Sequence, residues 1–261
     1  IFNRDLAIHL NLVSNNLNLI YNDASTDPFS PHSIGAQNDV WNLELQRDLT
    51  AKIGNTNYDI GHLLGAAGGG GNAGCIGCVC VNPSTNFPLA KGSGFSSPAD
   101  GKPEGDGFDI DFVAHEMGHQ LGANHTFSYE TEGTGMNVEP GGGSTIMGYA
   151  GVTDYNVQTH SDDYFAFASI AQIQNNLAIK SCPVSVVLSN KTPLVNAGLD
   201  YTIPKGTPFV LKGSGSDPNG DTLTYCWEQN DSAVNAVGAN SVAYPTKTDG
   251  PIFRSLPPNS S

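Results

Sequence analysis

One stretch restricts the folds open to this chain more than any other: His115-Glu116-Met117-Gly118-His119-Gln120-Leu121-Gly122-Ala123-Asn124-His125, a pattern H-E-x-x-H-x-x-G-x-x-H. His115 and His119 are one helical turn apart, so in a helix their side chains leave from the same face and can grip one ion. Gly122 lets the chain leave that helix sharply, because only glycine takes a left-handed turn without penalty. The turn predicts that His125 comes back towards the metal as a third ligand. Three protein ligands leave a fourth position for water, the arrangement of a catalytic rather than a structural zinc. Glu116, beside His115, is placed to act on that water as general base.

Downstream, Ser144-Thr145-Ile146-Met147-Gly148-Tyr149 follows the glycine run 141–143 and supplies a methionine in a tight turn. Methionine is soft and adaptable, suited to packing beneath a metal site. The long zinc motif followed by such a Met-turn resembles the metzincin clan of zinc endopeptidases. Within that clan the chain resembles the reprolysin-like bacterial secreted enzymes over residues 1–182. The phrases that carry this are Arg4-Asp5-Leu6-Ala7-Ile8, Tyr58-Asp59-Ile60-Gly61-His62, Phe108-Asp109-Ile110-Asp111-Phe112-Val113-Ala114 and Thr145-Ile146-Met147-Gly148-Tyr149. The resemblance implies His115, His119 and His125 as zinc ligands, Glu116 as the base and Met147 as the Met-turn residue. Tyr149 sits two places after Met147, as does a metal-approaching tyrosine in astacins and serralysins. That implies a hydroxyl stabilising the oxyanion, against a tyrosine packed behind the site. Residues 150–155 would help to shape the S1′ pocket, where an inward-facing Asp154 would favour a basic side chain. Structural calcium also accompanies many relatives, and Asp106, Asp109 and Asp111, Asp162 and Asp163, or Asp217 and Asp221 are candidate ligands.

Charged residues are only 14% of the chain, with 25 acids against 11 bases and a net charge of −14. Such a surface repels phosphate backbones and anionic membranes, which argues against nucleic-acid partners. No apolar run reaches the length of a membrane span. The start at Ile1, with no charged n-region or apolar h-region, is read as a mature fragment freed of a signal peptide and an inhibitory propeptide. This reading makes the protein a secreted one, and a monomer is expected. Cys75, Cys78, Cys80, Cys182 and Cys226 fit an oxidising compartment. Cys75-x-x-Cys78 has the spacing of a second zinc site, but no other C-x-x-C lies nearby and disulfides account for it better. Cys182 is expected to pair with one of the three clustered cysteines, and the sequence leaves open which. Cys226 is the candidate free thiol.

Alternation predicts a strand over 4–13 and another over 17–21. Trp41, Leu45, Leu49 and Ile53 fall at helical spacing, with Asn38 or Asp39 as cap. Asn57 to Ala66 reads as a strand; the resemblance makes it the cleft strand that pairs with extended substrate, and puts His62 in reach of that substrate. His9, His32 and His160 read as ordinary surface or core residues. Gly68 to Gly71 reads as a flexible connection and 91–107 as a loop. The zinc helix should run from Asp109 to Gly122, and a second helix from Ser161 to Ile179 should bury Ile170, Ile173 and Leu177. The fold class is α+β: a metzincin-type protease domain over 1–183, a linker over 184–192, and a small all-β domain over 193–261. Its short alternating segments suggest a PKD-like or immunoglobulin-like sandwich, cut short, since such a sandwich needs about 100 residues. The reading is a zinc endopeptidase acting on extended polypeptides. The competing class is an adhesive or matrix-binding protein whose protease domain has lost catalysis, although such domains lose the acid or a ligand, and here all are present.

Overall fold

The computed structural model describes residues 1–260. Its elements divide into two units, Ile1–Pro183 with Glu228–Ser255, and Val184–Trp227 with the residues from Leu256.

In the first unit, α1 (Phe2–Leu6) is followed by a 3₁₀ turn, Asn16–Leu19, by the short α2 (His32–Gly35) and by α3 (Val40–Lys52). The two early strands expected from alternation are therefore absent. A strand needs a hydrogen-bonding neighbour, and none lies beside these residues. Phe2 and Leu6, one turn apart, instead fold onto Phe165, while Leu12 and Leu17 are left 85% and 74% exposed. Helix α3 matches its apolar spacing, with Trp41, Leu45 and Leu49 buried. Asp39 stands at its N-cap in a left-handed conformation and makes no side-chain cap bond. Its carboxylate accepts from Asn72 Nδ2 instead.

A three-stranded sheet has the order β1-β3-β2, from β1 (His62–Leu64), β2 (Gly70–Asn72) and β3 (Gly94–Ser97). β1 runs parallel to β3 with Leu63 opposite Phe95; β2 runs antiparallel to it with Gly71 opposite Ser96. Two expectations are corrected here. The loop assigned to 91–107 contains the central strand, and the glycine run 68–71 contains two of the three residues of β2. Small residues belong there because space is short: a Cβ on Gly94 would lie 2.4 Å from the Gln120 side chain. The sheet is tied to α3 by Asn42, which donates to the carbonyls of Asn72 and Ser93, and by Gln46, which accepts from Gly92 N–H.

The helix that carries the histidines begins with a short turn, α4 (Asp106–Phe108), widens into a π-helical segment over Asp109–Ala114 and continues as α5 (His115–Leu121). The last helix, α6 (Phe167–Ala178), starts later than expected; Tyr164 and Phe165 precede it in buried, non-helical chain. Leu6, Val79, Ala114, Leu121, Ala123, Ile146, Met147, Phe165 and Ile173 form one core cluster beneath the histidine helix. Disulfides join Cys75 to Cys78 and Cys80 to Cys182, which settles the partner of Cys182.

Glu228–Ser255 belongs to the first unit rather than to the block 193–261. Its backbone is bonded there: Ala233 N–H donates to Asn137 O, Gly238 N–H to Tyr129 O, and Ser241 O accepts from Gly141 N–H. The buried ammonium of Lys247 donates to the carbonyls of Ser241 and Pro251. The second unit, by itself, holds one antiparallel pair, β4 (Leu194–Asn196) with β5 (Ser214–Ser216), and an isolated bridge between Tyr225 and Asn259. Among the described residues this is far from a sandwich, because two facing sheets need more chain than remains once Glu228–Ser255 is taken away. Cys226 is exposed in this unit and takes part in neither disulfide. No helix among the described residues is long and apolar enough to cross a membrane.

Candidate metal centre

His115 and His119 leave the buried face of α5, as their spacing requires. The helix stops at Gly122, whose φ is 127°, and the freed carbonyl of Leu121 accepts from Asn176 Nδ2 on α6 at 2.7 Å. A Cβ at 122 would meet Asn176 at 2.9 Å, so the cap and the glycine require each other. The reversed chain then returns His125 to the other two. Its ring stacks on Phe127 with centroids 4.7 Å apart and meets Tyr149 edge-on at 4.5 Å.

Each imidazole is anchored through Nδ1. His115 bonds Ile146 O at 2.6 Å, His119 bonds Ala123 O at 2.7 Å, and His125 bonds Glu132 Oε1 at 2.9 Å. All three partners only accept, so Nδ1 carries the proton and Nε2 keeps its lone pair. The lone pairs face one another: Nε2 of His125 is 3.0 Å from that of His119 and 3.2 Å from that of His115. Burial also holds His119 at a pKa of about 4 and His115 well below its ordinary value, and the neighbouring imidazoles push in the same direction. Three neutral imidazoles converging through unprotonated nitrogens repel one another until a cation lies between them. With bonds of about 2.0–2.1 Å, a tetrahedral zinc would set nitrogens roughly 3.3 Å apart, close to what is seen. The residues fit the metal.

Glu116 is 8% exposed, and its carboxyl lies so close to β2 that a Cβ on Gly71 would approach Oε1 to 2.5 Å. Burial pushes its pKa up to about 8, against a lowering by the backbone N–H of Ala73. Met147 is fully buried under α5, and a Cβ on Gly118 would fall 2.5 Å from its sulfur. The turn that holds Met147 is fixed at both ends, since Ile146 O receives His115 and Met147 O accepts from Thr126 N–H at 3.0 Å. Tyr149 packs its ring 5.5 Å from that of His115, and burial raises its pKa.

Sequence reasoning missed Glu139. It is 4% exposed and accepts from Ser144 N–H, Thr145 N–H and the hydroxyls of Thr126, Ser144 and Thr145. Its one legible signal is an isolated acid beside a proline and a glycine run, which is weak. His62, expected near substrate, instead bridges Gln120 Oε1 at 2.8 Å and Ser96 Oγ at 2.9 Å, and burial lowers its pKa to about 4. Asp154 is exposed. Of the acids considered for calcium, Asp111 accepts from Ser161 N–H, Asp162 pairs with Arg254, Asp163 pairs with Arg4, and Asp217 accepts from Asn219 and Asp221 N–H. Among the described residues, the three histidines are the one set of three or more metal-binding side chains that converges.

Residues 1–181 match the family model described as metallo-peptidase family M12B, reprolysin-like. No curated protein and no solved structure matches the chain.

Proposed function

The chain belongs to the reprolysin-like M12B metallopeptidases, and on that premise we propose that it is a secreted zinc-dependent endopeptidase of metzincin type. The observation that carries the proposal is the convergence of three Nε2 lone pairs, each fixed by an acceptor at Nδ1. In this reading His115, His119 and His125 hold the metal and Met147 floors the site as the Met-turn residue. Bound zinc supplies a Lewis acid that acidifies water and polarises a carbonyl. Glu116 takes the proton from the attacking water and passes it to the leaving amine. A bound dication nearby would lower its pKa and so favour the ionised carboxylate that accepts the proton. Tyr149, packed against two of the three imidazoles, is positioned to donate to the developing oxyanion.

Substrate binding is assigned to β2 in preference to residues 57–66, whose strand β1 lies at the opposite edge of the sheet. β2 pairs only with β3 among the described residues, and a Cβ on its Gly71 would fall 2.5 Å from the Glu116 carboxyl. An extended peptide added to that edge by main-chain bonds would lie beside the base. Secretion is supported by the two disulfides, which persist in oxidising compartments.

The test is hydrolysis of a denatured protein by wild type and Glu116→Ala, each with chelator and after zinc restoration. Cleavage by wild type, lost with chelator, regained with zinc and absent from a folded, zinc-loaded Glu116→Ala, is the expected result. Wild-type activity in that variant would overturn the mechanism.

A further inference from the structure

The three imidazoles are not anchored alike. Those of His115 and His119 bond carbonyls of the buried framework, at Ile146 and Ala123. His125 bonds a side chain, the carboxylate of Glu132, on a surface loop; the two side chains are 15% and 36% exposed. Glycines 133 and 135 follow with φ of 70° and 74°, and a Cβ on either would touch nothing within 4 Å. The loop's base, by contrast, is clamped. Asn137, 2% exposed, donates to Phe127 O at 2.7 Å and to Glu130 O at 3.1 Å. The clamp sets where Glu132 can reach.

Aromatic packing alone does not orient His125. Stacking on Phe127 and contact with Tyr149 restrict the ring plane, but a half-turn about Cβ–Cγ keeps the ring in that plane and preserves the stacking. What distinguishes the two orientations is whether Nε2 or the Cε1–H group points at His115 and His119. An acceptor outside the cluster selects Nδ1–H outward and Nε2 inward; without it the reversed ring presents a carbon where the ligating nitrogen belongs.

We propose that Glu132 is a positioning residue that holds His125 in its metal-binding orientation, so that one of three ligands is controlled from an exposed loop. This rests on the zinc reading above. A carboxylate on the outer nitrogen also raises the basicity of the inner one, and loss of such a partner weakens metal binding by about 10–100-fold.

The experiment measures zinc affinity by chelator competition, and the visible spectrum of the cobalt-substituted protein, for wild type, Glu132→Ala, Glu132→Gln and Glu130→Ala. Glu132→Ala should lose about 10–100-fold in affinity, with an altered cobalt spectrum and an unchanged melting temperature of the metal-free protein. Glu132→Gln should fall between it and wild type, because the amide oxygen still accepts from Nδ1–H. Glu130→Ala removes the same charge from the same loop without touching His125 and should bind as wild type does. Equal losses in Glu130→Ala and Glu132→Ala would mean that only loop charge matters and would overturn the proposal. So would a Glu132→Gln variant as weak as Glu132→Ala, or a Glu132→Ala variant with wild-type affinity. A wild type that takes up no zinc would bring down the metallopeptidase reading itself, a separate result from any ranking of the variants.

Discussion

Removing the carboxylate of Glu139 should cost more stability than its distance from solvent-exposed chemistry suggests. One oxygen accepts Ser144 N–H at 2.9 Å and Thr145 N–H at 3.0 Å; the other accepts the hydroxyls of Thr126 at 2.5 Å and Thr145 at 2.6 Å. The hydroxyls can rotate towards other acceptors, but the two backbone N–H groups cannot turn away. Ser144 and Thr145 are fully buried, so water does not replace the lost partner. Glu139→Ala therefore strands two backbone donors at about 1–3 kcal/mol each, or roughly 3–5 kcal/mol in all. Glu139→Gln can keep its amide oxygen on the backbone donors and set its NH₂ against the hydroxyls. It then loses charge assistance rather than the bonds, about 1 kcal/mol for each backbone bond, or roughly 2 kcal/mol. Urea unfolding of the metal-free protein, followed by tryptophan fluorescence, measures both without a contribution from bound zinc. The expected order is wild type, then Gln, then Ala. A Glu139→Ala variant destabilised by less than about 1 kcal/mol would show that the stranded donors find other partners, and the reasoning would fail.

Three further outcomes follow from the geometry. His62 has its folded-state pKa lowered to about 4, so between that value and its unfolded pKa near 6.5 the unfolded chain binds more protons. Stability should fall as pH drops through this window, by at most about 3 kcal/mol, and His62→Gln should flatten that slope in metal-free unfolding at pH 4–7. Gly118→Ala drives a Cβ into the sulfur of Met147; overpacking of about 1–3 kcal/mol should outweigh the helix-propensity gain of about 1 kcal/mol. Adding Met147→Ala should make the pair visibly non-additive in a double-mutant cycle. Gly71→Ala displaces the Glu116 carboxyl and should lower kcat by about tenfold or more while zinc content stays stoichiometric. Loss of zinc in that variant would instead show that β2 braces the metal residues.

The histidine constellation was readable because it depends on local geometry: one helical turn between His115 and His119, then a glycine with φ of 127°. Helix α3 was readable for the same reason, its buried residues recurring at intervals of four. The central strand β3 was not. Its residues Gly-Phe-Ser-Ser are all buried, so no polar face alternates with an apolar one, and close contact with Gln120 selects small residues that look like a loop. The reverse error arose at 4–13, where alternation was present but no neighbouring strand was. Glu132 and Glu139 escaped because nothing local marks a carboxylate whose partners are a histidine seven residues away or backbone donors across a turn.

The bond between Cys80 and Cys182 spans 102 positions and encloses every residue assigned to metal, base, Met-turn and oxyanion. The chain between them is in effect a ring. A proteolytic cut in the exposed loop around Gly133 would put His125 on one fragment and Met147 on the other, yet neither fragment could diffuse away. The cut protein would migrate as one species under non-reducing conditions and as two after reduction. A nick in that loop therefore leaves two tethered halves that can fit together again, rather than the loss of one side of the histidine cluster.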